Sequence, residues 1–175
     1  MERLNSMPDL RILFLTHPFP NYVPDFLLHG LRKILGNRVV DYPKKKCLYN
    51  SMPNEKFPEL YHNTNWFPID KGDIDREDIK TKLNQGYFDY LIFDCRASET
   101  LTSVYSEQSK GKAKLVIIDG EDKPVALLPG PYAVCRRETD GTDFSIPLPM
   151  ALPDELFQRI VSSDSNNKLF SIGFL

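Results

Sequence analysis

The chain lacks an apolar run long enough to cross a bilayer. Its longest runs are a handful of residues, against the roughly 18 that a spanning helix needs. Met1 to Leu10 carry charges and a proline but no apolar stretch of the signal-peptide kind, so the expectation is a cytoplasmic protein with no membrane span. An excess of charge is missing too: 22 basic residues face 24 acidic ones, a net charge of -2. That balance gives no global field to attract nucleic acid or an anionic membrane. A single Trp and scattered Lys and Arg make no stacking platform for bases, so no nucleic-acid partner is expected. Cysteine is sparse. Cys47, Cys95 and Cys135 are far apart and form no CxxC pair, which excludes a disulfide framework and fits a reducing compartment.

Several chemical signatures are missing as well. His17, His29 and His62 form no HxxH, HExxH or Cys/His cluster, so no transition-metal site is expected. Thr16-His-Pro-Phe-Pro-Asn21 stands where a dinucleotide-binding strand would be followed by GxGxxG. GxxxxGK[ST] and GxSxG do not occur, which removes the P-loop and the nucleophile elbow. No cofactor is expected, and no residue is marked as catalytic.

Proline, by contrast, is abundant: 14 in 175 residues, about 8% against a usual ~5%. The prolines cluster in 18–24, 53–68 and 124–153, marking loops or edge structure. Between those stretches lie clear periodic segments. Arg11-Ile-Leu-Phe-Leu-Thr16, Arg38–Asp41, Tyr87–Asp94 and Lys114–Asp119 read as strands, the apolar ones covered on both faces. Pro24 and Asp25 suit the first turn of a helix that turns Leu27, Leu28, Leu31, Ile34 and Leu35 inward and stops at Gly36. A second helix is expected over Asp75–Gln85, with Ile79 and Leu83 inward and Gly86 as its stop. A third should run from Ser98 to Gly111, and a fourth from Pro153 with Leu156, Phe157, Ile160 and Val161 inward. Trp66–Asp70, Pro124–Leu128, Tyr132–Arg136 and Phe144–Ile146 are shorter extended segments, and Lys44 to Asn65 is an irregular loop.

This alternation predicts one α/β domain over residues 1–175, doubly wound and Rossmann-like, with a mainly parallel sheet and helices on both faces. The first and fourth strands should flank the switch point. Ligands in such sheets bind beyond the carboxyl ends of the strands. Those ends supply His17, Asn21 and Tyr22, then Asp25 in the first helical turn, then Asp41, Tyr42 and Lys44. They go on to supply Asp94, Cys95 and Arg96, and finally Asp119, Gly120, Glu121 and Asp122. Asp94 with the 119–122 acids could hold Mg²⁺ or act in acid–base chemistry. The favoured reading is plainer: a tight turn with Gly120 at positive φ, its acids solvated or paired with Arg136 and Arg137. Arg96, Arg136 and Arg137 suit a phosphate or carboxylate, or an internal ion pair. Lys44–Lys46 could grip a sugar-phosphate or a polyanionic partner, but a three-residue charge run is more often a solvated face. Cys95 alone among the cysteines stands where a nucleophile could, though a strand-end cysteine is more often a buried small hydrophobe.

Arg11-Ile-Leu-Phe-Leu15, Asp25-Phe-Leu-Leu-His-Gly-Leu-Arg32, Val39-Val-Asp-Tyr-Pro43, Phe88-Asp-Tyr-Leu-Ile92, Ile118-Asp-Gly-Glu-Asp122 and Phe144-Ser-Ile-Pro147 carry a resemblance. With them the chain resembles the amino-terminal Rossmann-like domain of bacterial glycosyltransferase-like proteins of two-domain GT-B architecture. Phe170-Ser-Ile-Gly173 looks like the first strand of the second domain in such proteins. The resemblance implies an acceptor-side domain that binds a sugar or sugar-phosphate without turning it over alone. It also implies a second domain or partner protein docking where 169–175 ends. Two readings compete with it: a non-catalytic Rossmann-like module binding a small ligand or a protein, and a Mg²⁺-dependent phosphotransfer or receiver-like domain.

Overall fold

The computed structural model describes residues 9–45, 48–49, 73–97, 111–123, 131–139, 145–149 and Asp154. Six strands, β1 (Ile12–Leu15), β2 (Val39–Tyr42), β3 (Tyr90–Asp94), β4 (Lys114–Asp119), β5 (Tyr132–Arg136) and β6 (Ile146–Pro147), form one sheet in the order β2-β1-β3-β4-β5-β6. Every pairing in it is parallel. The described α-helices are α1 (Tyr22–Leu35) and α2 (Ile79–Asn84), with a single 3-10 turn at Gly36–Arg38. The architecture is the expected α/β, Rossmann-like one.

The apolar runs are continuous because both faces of the sheet are covered. Side chains alternate between faces along a strand. Ile12, Phe14, Val39, Ile92 and Ile118 therefore join Val23, Leu28 and Leu35 of α1 in one core layer. Leu13, Leu15, Val40, Leu91, Phe93 and Ile117 join Ile79 and Leu83 of α2 in the other. Strand β1 has β2 on one side and β3 on the other, so the chain reverses its winding direction between β1 and β3, the third described strand rather than the expected fourth. That places the switch point beside the β1–α1 loop.

Helix α1 begins earlier than the proline suggested. Asn21 is its N-cap, with Oδ1 accepting from the Val23 amide at 3.2 Å. Asp25 returns the contact, its Oδ2 accepting the Asn21 amide at 3.0 Å. Two orphan amides at the helix start are thereby satisfied reciprocally. The helix ends at Gly36 with φ 63°, as the sequence suggested. Ile34 departs from expectation: it is 52% exposed. Leu28 and Leu35 lie seven residues apart and face the sheet, while Leu27, Leu31 and Ile34 form a neighbouring stripe, of which Leu27 and Leu31 still pack partly against that core. That second stripe lines an apolar groove of about 220 Å³ with Leu148 and Pro149.

Helix α2 is shorter than the expected Asp75–Gln85. Asp78 adopts a left-handed conformation (φ 48°), and Asp75 Oδ1 accepts the Glu77 amide at 3.0 Å. This local turn competes with helix until Ile79. Trp66–Asp70, Pro124–Leu128, Leu156–Val161 and 169–175 lie outside the described residues, as does the Ser98 helix apart from Gly111.

Gly120 plays a different part from the one expected. Its φ is not in the positive region, which among the described glycines holds Gly36, Gly86 and Gly111. Closeness is what demands glycine there: a Cβ would stand 2.5 Å from Asn21 Oδ1 and 2.9 Å from Val23 Cβ. Since Asn21 Oδ1 is the helix cap, it cannot retreat without loss. Gly120→Ala is expected to lower stability by ~1–3 kcal/mol, read as a lower urea midpoint at unchanged slope. An unchanged midpoint would show that the loop after β4 does not press on α1.

Candidate functional site

Strands β2, β3 and β4 each run into an aspartate that is almost completely buried: Asp41 (0% exposed), Asp94 (2%) and Asp119 (1%). An ionised carboxylate cannot be left there alone, because its lost hydration costs several kcal/mol. Each has a cation. Asp41 Oδ1 accepts from Arg32 at 2.7 Å, Arg76 at 2.6 Å and the Tyr49 hydroxyl at 2.9 Å, while its Oδ2 takes the Lys45 amide at 2.9 Å. Burial, and then the nearby Asp41 charge, push the Tyr49 hydroxyl far up, so it stays a donor. Asp94 takes both Nε (3.1 Å) and Nη2 (3.0 Å) of Arg96. Asp119 meets Arg136, its directly paired residue on β5, at 3.3 Å, and its Oδ1 accepts the Glu121 amide at 3.2 Å.

A fourth buried acid lies in α1. Asp25 is 3% exposed and pairs with the 2% exposed Lys45, Oδ1 to Nζ, at 2.9 Å. Burial raises the Asp25 carboxyl above its ordinary value of 3.8, and Lys45 opposes that rise. The same ammonium donates to the carbonyls of His17 (2.6 Å) and Phe19 (2.8 Å). Arg96 reaches the loop from the other side, donating to the carbonyls of Pro20 (3.2 Å) and Phe19 (3.1 Å). The loop between β1 and α1 is thus held by two cations, each neutralised by its own acid.

On this support stands the rim. Asn21 Nδ2 donates to Glu121 Oε1 at 2.9 Å, tying the start of α1 to the loop after β4. Arg96 Nε lies 3.4 Å from the same oxygen. His17 Nδ1 accepts the Phe19 amide at 3.2 Å, and burial, then Arg96, hold the imidazole below its ordinary value of 6.5. Phe19 and Tyr22, on either side of Asn21 in the chain, are 42% and 62% exposed, their rings 5.2 Å from that of His17 and 5.9 Å from that of Phe26, respectively.

The candidate residues of the sequence therefore divide in two. His17, Asn21, Tyr22, Arg96 and Glu121 converge around the β1–α1 loop with side chains at least partly accessible. Asp25, Asp94 and Asp119 are close by but buried and engaged by cations. Lys44 lies elsewhere, its ammonium 4.7 Å from the Tyr49 ring centre. Asp122 is exposed and pairs with Arg137. The plainer reading of the 119–122 acids, with Arg136 and Arg137 as partners, agrees with these contacts. Lys45 is a correction: expected in a solvated run, it is among the most buried side chains of the protein. Sequence reasoning also missed Phe19 at the rim and Arg76 on Asp41. The sole sequence cue for Lys45 was its place four residues after the strand-end Asp41.

Burial, then Asp119, push the Cys95 thiol up to about 12, which makes it a poor nucleophile at neutral pH. Among the described residues no group of three or more His, Cys, Asp or Glu could hold a metal ion, and no helix among them is long and apolar enough to cross a membrane. Comparison with protein-family models, curated proteins and solved structures found no match to this chain.

Replacing Lys45 by Met leaves Asp25 buried without its cation. The expected cost at neutral pH is about 3–5 kcal/mol. The sign of its pH dependence follows from Asp25: a carboxyl raised above its unfolded value of 3.8 binds more protons folded than unfolded. Its contribution to stability is complete below that value and is lost as pH rises through the folded one. Without Lys45 the folded value rises further, so Lys45→Met should cost more at pH 7 than at pH 5. Equal losses at both pH values would contradict the pairing.

Proposed function

We propose that the rim around the β1–α1 loop binds a neutral, hydroxyl-rich ligand of the sugar class, as the acceptor-side half of a bacterial, cytoplasmic GT-B glycosyltransferase-like protein. The observation that carries this reading is the exposure of Phe19 and Tyr22 on either side of Asn21, which is bonded to Glu121. Ligand sites combine apolar walls with a few fixed polar groups. Sugars suit that combination well: their C–H faces pack on aromatic rings while their hydroxyls exchange hydrogen bonds with amides and carboxylates. The location beside the switch point supports the same reading.

The charge pairing favours a neutral sugar over a sugar-phosphate. Arg96 is occupied by Asp94, Glu121 and the carbonyls of Phe19 and Pro20, and Lys45 by Asp25 and the carbonyls of His17 and Phe19. A phosphate would have to displace a buried carboxylate to gain a cation, which is costly. The same pairing argues against Mg²⁺ at Asp94 and Asp119, whose carboxylates already face guanidinium groups. Among the described residues no activated nucleophile accompanies the rim. Turnover on this reading awaits a second domain, which would hold the donor.

A thermal-shift series with neutral saccharides, sugar phosphates, nucleotide-sugars and Mg²⁺ tests the proposal, since a ligand at 100 times its Kd adds about 2.7 kcal/mol. A neutral saccharide should raise Tm. Phe19→Ala and Tyr22→Ala should abolish that rise while moving the free protein's stability by no more than about 0.5 kcal/mol. A shift with phosphorylated sugars alone would contradict the neutral site. No shift with any compound would favour the protein-binding module instead.

A further inference from the structure

The His17 ring is held by the backbone two residues further on. Its Nδ1 accepts the Phe19 amide at 3.2 Å. That amide has little freedom to move away, because the carbonyls of His17 and Phe19 accept from Lys45 (2.6 and 2.8 Å) and those of Phe19 and Pro20 accept from Arg96 (3.1 and 3.2 Å). A nitrogen that accepts must carry its lone pair, and a neutral imidazole then has its proton on the other nitrogen. Nε2 has no hydrogen-bond partner among the described residues.

We infer that His17 is the specificity-setting hydrogen-bond donor of the rim, presenting Nε2–H to an accepting oxygen of the ligand and unable to act there as a base. This rests on the sugar-binding proposal and adds the polarity of one contact to it. The groups facing the ring are consistent with the neutral state. Arg96 and Lys45 disfavour a positive imidazole, and Asp94 opposes them; burial adds to the first pair. A proton on Nδ1 would also point at the Phe19 N–H, setting donor against donor. The contact therefore selects a hydroxyl, ether or carbonyl oxygen and rejects an ammonium group, whose hydrogens would meet Nε2–H head on.

The test has two arms on the full chain. Long-range ¹H–¹⁵N correlation spectra of the ligand-free protein at pH 7.5, with His17 assigned by its loss in His17→Gln, report which ring nitrogen carries the proton. The expected result is protonated Nε2 and bare Nδ1; a proton on Nδ1, or a tautomer mixture, overturns the inference without touching the sugar-binding proposal. In the second arm, the neutral saccharides are titrated against the wild-type chain, His17→Gln and His17→Phe. Loss of one hydrogen bond predicts about two- to tenfold weaker binding for His17→Phe, while His17→Gln, which keeps an N–H donor, holds near the wild type. Equal binding by His17→Phe and the wild type overturns the inference. Failure of the wild type to bind any saccharide overturns the sugar-binding proposal, and with it the ligand role of His17.

Discussion

Burying an ionised carboxylate is tolerable only where a cation and hydrogen-bond donors meet it, and this protein does so four times along one edge of its sheet. Asp25, Asp41, Asp94 and Asp119 are all inaccessible, and Lys45, Arg32 with Arg76, Arg96 and Arg136 answer them. Much of the surrounding geometry follows from those pairs. Lys45 cannot meet Asp25 without bringing its segment under the β1–α1 loop, and it is held there by its own amide on Asp41. Arg96 cannot meet Asp94 at both oxygens without its remaining N–H groups pointing at the carbonyls of Phe19 and Pro20. A loop with two prolines and no secondary structure is thereby given one arrangement.

The functional consequence is a rim that is ordered yet electrically quiet. Its cations are already neutralised, so on the proposed sugar-binding reading affinity would come from shape, aromatic faces and hydrogen bonds rather than from net charge. On that reading pre-ordering would also lower the entropic cost of binding. Asn21 shows how closely fold and rim are joined. It caps α1, accepts close approach by Gly120 and donates to Glu121, so the helix start and the loop after β4 share one side chain.

Much of the fold was legible in the residues. Lys114–Asp119 and Tyr132–Arg136 emerge as strands with the bounds that the sequence suggests, because apolar, β-branched runs between breakers have few other uses. Gly36 and Gly86 end their helices at positive φ as expected. The strand-end rule pointed to the carboxyl end of the sheet, where the buried acids and their cations gather. It could not say which acids there are open and which are buried, since that depends on partners far away in the chain. Asp41 is met by Arg76, 35 residues on, and Asn21 by Glu121, 100 residues on. Lys45 reads as one of three solvated lysines until Asp25 is known to stand behind it. Ile34 reads as core until two apolar stripes on α1 compete for one sheet.

The central claim is that ion pairs at the sheet edge, and not the loop's own preferences, fix the rim. A double-mutant cycle on Asp94→Asn and Arg96→Met measures this most directly. If the pair acts as a unit, the two losses of stability will fall short of additivity by about 0.5–3 kcal/mol, and the double variant will be little worse than the poorer single one. Losses that simply add would mean that Asp94 and Arg96 act independently, and the account of the rim would fail.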